Sequence, residues 1–189
     1  RQEFLTPSGP SETPASAGTR HHLLIFGGSQ GAKAINSAVL DGLASLTARV
    51  PNLVITHQTG EADYRRVQET YAKLGVQAEV TRFLYDMPTV LRTADLVVAR
   101  AGAMTIAELT ACGKPAILIP RTAPRQEQLL RASRAADLGL VRMLDIDSGA
   151  ADVTATLGGT AVSCVQTSNP GDAMSALIVI ASSKRSFAG

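Results

Sequence analysis

The sequence predicts an α/β fold, a doubly wound parallel sheet with helices on both faces. Two observations predict it. Short apolar runs recur along the chain, and helical stretches fall between most of them. The runs are continuous rather than alternating, which fits strands buried on both sides.

The elements follow in order. Residues 5–20, LTPSGPSETPASAGTR, have the Pro, Ser, Thr and Gly content of a linker, so residues 1–20 read as a linker remnant. The first run is LLIF (23–26). Residues 31–49 follow, where Ile35, Val39, Leu43 and Leu46 recur at three- and four-residue steps on one helical face. LVIT (53–56) is the second strand, and 62–74 reads as a helix. AEVT (78–81) is the third strand, followed by the short helix DMPTVLRTA (86–94). LVVA (96–99) leads into a turn and a helix that starts at Met104-Thr105. AILI (116–119) precedes a helix over 126–138, and GLVRML (139–144) is the last strand. Six such units make one Rossmann-like core over residues 21–150. Residues 151–189 break the pattern and read as a divergent tail, either a last strand or helix or partly disordered, and receive no function.

In this class of fold, ligands bind beyond the carboxyl ends of the strands, where the strand order reverses. The first such loop is Gly27-Gly28-Ser29-Gln30-Gly31-Ala32, leading into a helix. Glycines allow a tight turn with amides close to a ligand, and a helix N-terminus offers unpaired N–H groups to a phosphate. A dinucleotide fingerprint needs G-x-G-x-x-G and an acid near the end of the second strand. The spacing here differs, and that strand ends in His57-Gln58. A P-loop needs Gly-Lys followed by Ser or Thr, whereas this chain has Ala32-Lys33-Ala34. A turn serving packing alone and a phosphate seat both remain.

The fourth strand leads to Arg100-Ala101-Gly102-Ala103 and then Met104-Thr105. Thr105 and Glu108 match the S/T-x-x-E capping box, which makes simple helix capping one reading. The other is a ligand: small residues leave room for an anion, and a Glu one turn in can accept two hydrogen bonds from a ribose diol. Two helix mouths on one sheet edge suit a nucleotide carrying a diphosphate. Leu84, after the third strand, stands where its backbone can meet a base, although a Phe-Leu pair also suits a core. Gln126, Glu127 and Gln128 open the helix after the fifth strand, where polar residues are solvated or meet sugar hydroxyls. His57 reads as a hydrogen-bonded loop residue rather than a base, and His21 and His22 as incidental.

Composition narrows the partners. Lys and Arg number 18 against 16 Asp and Glu, a net charge of +2, with no Trp and 4% aromatic residues. That excludes the basic patch of a general nucleic-acid binder and the stacking platform of a single-strand binder. Cys112 and Cys164 form no C-x-x-C, so a reduced, cytosolic setting is the default. No apolar run reaches the length of a membrane span; the longest candidate, AMSALIVIA (173–181), is too short. The chain starts without Met and is expected to be a fragment. It gives no indication of oligomeric state.

The motifs GGSQGA, HQTG, FLYDM, RAGAMTIAEL and GKPAILIP occur in an order and spacing that resembles the MurG family of peptidoglycan N-acetylglucosaminyltransferases, and RQEF at the start resembles the end of that family's interdomain linker motif. The likeness is strong over 1–120 and weaker over 121–144. It implies the C-terminal half of a GT-B glycosyltransferase, two Rossmann-like domains around a cleft, with this half binding the UDP-GlcNAc donor. It implies that Arg1 is the linker Arg of the donor site and that Ser29 faces the diphosphate. It places Leu84 where a backbone reads uracil, Ala103, Met104, Thr105, Ile106 and Ala107 where the nucleotide is held, Glu108 on the ribose hydroxyls and Gln128 on the GlcNAc hydroxyls. The chain departs from the family at Glu127, beside Gln128, and at Arg131 in place of an Asn. Nothing after 150 matches the family's last helix.

The reaction implied is inverting transfer of N-acetylglucosamine from UDP onto lipid I, giving lipid II. The acceptor and the catalytic base would belong to the N-terminal domain, so this chain alone is expected to bind donor weakly and transfer nothing. No cofactor or metal is called for where helix mouths meet the diphosphate charge, and no Asp-x-Asp pair that would hold a metal is expected. The whole protein is expected on the cytoplasmic face of the inner membrane, held peripherally. Another UDP-sugar GT-B enzyme, such as a glycolipid transferase or a UDP-GlcNAc epimerase, and a non-catalytic nucleotide-binding module are the alternatives.

Overall fold

A computed structural model describes residues 20–50, 52–121 and 127–137, and the strand backbones at 142–143, 155–157 and 160–162. Six parallel strands form one sheet in the order β3-β2-β1-β4-β5-β6. They are β1 (His21–Phe26), β2 (Leu53–Gln58), β3 (Ala78–Thr81), β4 (Leu96–Arg100), β5 (Ala116–Ile119) and β6 (Arg142–Met143). The helices are α1 (Lys33–Arg49), α2 (Tyr64–Lys73), α3 (Met87–Thr93), α4 (Ala103–Ala111) and α5 (Glu127–Asp137).

The predicted doubly wound sheet is present, and its two faces can be read residue by residue. Successive side chains of a strand point to opposite faces. Leu23 and Ile25 therefore join Ile35, Leu43, Ile55, Val67 and Val98 in a core under α1 and α2. Leu24 and Phe26 join Leu91, Val97, Ala99, Leu109 and Ala132 in a second core under α3, α4 and α5. β1, β4 and β5 lie within the sheet, and their inner residues are buried. β3 is an edge strand, half-buried except at Glu79, which is exposed.

β1 begins two residues before the apolar run. His21 and His22 pair with Leu53 and Val54 of β2. The His22 N–H also donates to Asp95 Oδ2 at 2.8 Å, ahead of β4. Beyond 150, strands β7 (Ala155–Leu157) and β8 (Thr160–Val162) form an antiparallel pair. The other residues of the predicted tail, and Arg1 with the linker, lie outside the described residues.

The winding reverses between β1 and β4, which are neighbours in parallel register, Leu23 opposite Leu96 and Phe26 opposite Ala99. Their two exit loops and the exit loop of β3 therefore border the same end of the sheet. That end is the switch point where such folds bind ligands.

Candidate functional site

A cleft of about 570 Å³ opens at this switch point. Ser29 and Gly28 line it from the loop after β1, Thr105 and Glu108 from α4, and Phe83, Leu84 and Tyr85 from the loop after β3. Phe26, Gln58, Met87 and Pro88 complete the lining. The cleft thus brings together four of the residues singled out by sequence: Ser29, Leu84, Thr105 and Glu108.

Each wall has a local cause. In the glycine loop, the Gly31 N–H closes a turn on the Gly28 carbonyl at 2.9 Å. Gly31 has φ +73°, and a Cβ there would run into the Thr59 carbonyl. Only glycine combines this conformation with so close a backbone approach. The loop therefore rests directly on the exit of β2. Helix α1 then begins after Ala32, with no side-chain cap and no acidic residue in its first turn.

Helix α4 begins in the same way. Its N-cap is Gly102, in extended conformation, without a side-chain cap bond, and its first turn has no acid. This corrects the capping-box reading of Thr105 and Glu108. Thr105 is the third residue of the helix, not its cap, and turns with Glu108 toward the cleft. The box cannot form because the chain enters the helix at Ala103, three residues earlier than a cap at Thr105 requires. Both helix mouths are left without side-chain acceptors for their first-turn amides, the feature that makes a helix start an anion seat. Helix α3 contrasts with them. The Asp86 side chain caps it by accepting the Thr89 N–H at 3.2 Å. The Thr89 hydrogen bonds hold the Asp86 carboxyl below the usual carboxylate range.

Among the described lining residues Glu108 is the one charged side chain, and it is only 9% exposed. A carboxylate repels phosphate and attracts hydroxyl donors. The arrangement therefore puts a carboxylate suited to hydroxyl donors one turn inside α4, near the uncapped start of that helix. Across from Glu108, the Thr81 hydroxyl donates to the Phe83 carbonyl at 2.8 Å and shapes the loop that carries Leu84. Leu84 and Ile106 are half-buried against the second core. Ala103, Met104 and Ala107 are exposed on the first turns of α4. Arg100 closes β4 by donating to the carbonyls of Ile119 (3.3 Å) and Pro120 (3.0 Å), tying its exit to that of β5.

Gln128 is not among the lining residues. Its side-chain carbonyl accepts the Arg121 N–H at 3.0 Å, at the start of α5. The two departures from the family pattern, Glu127 and Arg131, face each other one helical turn apart at 3.6 Å. Arg1 lies outside the described residues, as does an Asp-x-Asp pair, Asp145 and Asp147, that the chain does contain.

His57 is hydrogen-bonded, as expected, but it is buried within β2 rather than placed in a loop. Its Nε2 lies 3.1 Å from Asn36 Oδ1 and its Nδ1 lies 3.1 Å from the Tyr71 hydroxyl. The Asn36 amide nitrogen donates to the Thr59 carbonyl at 3.1 Å and to Asp63 Oδ2 at 2.8 Å. Its oxygen is therefore an acceptor, so Nε2 carries the proton and Nδ1 accepts from Tyr71. Burial lowers the His57 pKa to about 3, outweighing the nearby Asp63 carboxylate, and the ring is neutral. It is not among the residues lining the cleft, and it joins β2 to α1 and α2.

Sequence reasoning assigned no role to Gln58, although HQTG was among the motifs. It is 3% exposed, lines the cleft and bonds to two of its loops. The available signal was a polar residue closing an otherwise apolar strand.

A parallel sheet reversing at β1 and β4, with a cleft at the switch point lined by the glycine loop and α4, defines a Rossmann-like domain. The chain belongs to the glycosyltransferase family 28 C-terminal domain family, whose model matches residues 22–153. It is 53% identical over 120 residues to the UDP-N-acetylglucosamine–N-acetylmuramyl-(pentapeptide) pyrophosphoryl-undecaprenol N-acetylglucosamine transferase of Geobacter sp. strain M21, covering 64% of this chain and 32% of that protein. The enzyme of the same name from Lawsonia intracellularis is 53% identical over 121 residues, with the same coverage of 64% and 32%. Among solved structures, MurG of Acinetobacter baumannii superposes with a TM-score of 0.62 at 33% identity, covering 69% of this chain and 38% of that one. The chain spans about a third of the length of the curated relatives it matches.

Proposed function

We propose that residues 21–150 are the donor-binding domain of an inverting N-acetylglucosaminyltransferase that uses UDP-GlcNAc. The observation that carries this reading is the meeting of Ser29, Leu84, Thr105 and Glu108 in one cleft at the switch point. The diphosphate sits between the amides around Ser29 and those of Ala103–Thr105. Glu108 accepts hydrogen bonds from the two ribose hydroxyls. The Leu84 backbone meets uracil, and Met104, Ile106 and Ala107 flank the nucleotide. Gln128 reaches the sugar hydroxyls from the start of α5, and Arg1 adds its guanidinium from the linker.

The reaction follows from this placement. An acceptor hydroxyl attacks the anomeric carbon on the face opposite UDP. The carbon–oxygen bond to the diphosphate breaks, and its electron pair stays on the leaving phosphate. Charge grows there, where preorganised amides stabilise it without rearranging. The base that takes the acceptor proton must lie within hydrogen-bond reach of that hydroxyl. We assign it, with the acceptor site, to a preceding domain. Because the relatives are named for a muramyl-pentapeptide on pyrophosphoryl-undecaprenol, the acceptor of the whole protein is lipid I and its product lipid II. We assign the whole protein to the cytoplasmic face of the membrane, held peripherally, where a nucleotide-sugar donor can meet a lipid-borne acceptor. Among the described residues no helix is long and apolar enough to cross one.

Titration calorimetry of the 189-residue chain tests the reading. UDP and UDP-GlcNAc are expected to bind, NAD to give no heat, and transfer to be absent. Tight NAD binding with no response to UDP would end the donor reading.

A further inference from the structure

Strand β2 lies between β1 and β3, so a side chain at its carboxyl end can reach the exit loops of both neighbours. Gln58 is that residue. Its Oε1 accepts the Gly27 N–H at 3.2 Å, at the first residue of the glycine loop. Its Nε2 donates to the Arg82 carbonyl at 2.9 Å, at the first residue of the loop carrying Leu84. One buried amide therefore bridges the two walls of the cleft, one wall for the diphosphate and the other for the base. Both hydrogen-bonding ends are engaged in opposite senses, which a carboxylate or an alkyl side chain cannot reproduce.

Among the described residues, Gln58 joins the first residues of those two loops by its side chain, while Thr59 packs on the glycine loop further along, at Gly31. The Arg82 guanidinium is turned away, 3.0 Å from Glu61 and stacked 3.9 Å from the Tyr64 ring centroid. The Thr59 N–H fixes the end of β3 through the Thr81 carbonyl at 2.9 Å, but it does not reach the glycine loop's entrance at Gly27.

We propose that Gln58 is a positioning residue that sets the distance between the base wall and the diphosphate wall, so that a uridine diphosphate engages both at once. The proposal rests on the donor reading above. Holding two binding elements at the right separation raises the affinity of a two-part ligand far more than that of either part alone. Gln58 thus contributes to the affinity for UDP while contributing little to that for uridine or pyrophosphate taken singly.

The test uses the full chain with uridine, pyrophosphate and UDP as probes. In Gln58→Leu, which removes both bonds, UDP affinity is expected to fall about tenfold or more while uridine and pyrophosphate each change by less than about threefold. Gln58→Met, which keeps the length of the side chain and loses both bonds, is expected to fall with Gln58→Leu. In the unaltered chain, the Gln58 side-chain amide resonance is expected to shift when uridine alone is added and again with pyrophosphate alone. This measurement decides the matter if the variants do not fold. An equal loss of all three ligands, unchanged UDP binding in Gln58→Leu, or an amide resonance indifferent to both fragments overturns the proposal. An unaltered chain that binds no UDP overturns the donor reading itself, a result distinct from normal UDP binding by Gln58→Leu.

Discussion

The buried His57 makes the stability of this domain depend on pH in a window that can be calculated. The ring titrates near 6.5 when the chain is unfolded and at about 3 in the fold, because burial disfavours its charged form. Between these values the unfolded chain binds one more proton than the native one. Stability therefore rises with pH across the window and is lost as pH falls from 6.5 toward 3. The loss approaches about 1.4 kcal/mol per pH unit, which amounts to about 2 kcal/mol between pH 8 and pH 5. Asp63 acts lower on the scale. Its carboxyl is held below 3.8, chiefly by the Arg66 hydrogen bond, so its stabilisation is lost as pH falls through about 3.8 and below. Between pH 8 and about pH 5 the slope therefore belongs to His57, and Asp63 joins it only lower down. In His57→Gln, a side-chain amide still offers Asn36 a donor and Tyr71 an acceptor. That variant is expected to be less stable at neutral pH but nearly flat between pH 8 and about pH 5. Urea unfolding of both proteins across this range measures the slopes. Parallel declines would refute the assignment of the missing proton to His57.

Glu108→Ala is expected to weaken UDP and UMP by about 1.5–3 kcal/mol, tenfold or more, and to leave phosphate binding unchanged, since only the ribose loses its charged acceptor. Calorimetry with the three ligands checks this, and unaltered UDP affinity would count against the ribose role. Gly31→Ala is expected to destabilise the fold by about 1–3 kcal/mol and to lower UDP affinity, because its φ of +73° and the adjacent Thr59 carbonyl leave no place for a methyl group. Thermal melts with and without UDP separate the two effects.

The strands were legible because the sheet buries them. LLIF, LVVA and AILI are apolar throughout, and each sits in the sheet interior with its side chains divided between two cores. His21 and His22 extend β1 unannounced, because a backbone ladder needs no apolar side chain where one face stays partly open. The Thr105–Glu108 pair offered two readings, capping and ligand, and the structure removes the capping one. The same spacing that makes a capping box also puts two residues on one helical face, and only the entry of the chain at Ala103 decides between them. Gln58 could not be placed from the sequence. Its meaning depends on which strands flank β2, and that is a property of strand order rather than of any local pattern. Gln128 was named for its position along α5, while its bond to Arg121 depends on how the chain approaches that helix.

The adjacency of β1 and β4 also bears on how the protein is made. His22 and Asp95 touch across 73 positions of chain, and the two halves of the cleft meet through the same pairing. The glycine loop is synthesised early and has no opposite wall until α4 follows. A nascent chain halted before that helix holds half a grip, and donor can bind only after the central pairing has closed. Ligand binding during synthesis would therefore report that closure rather than the formation of the first strands.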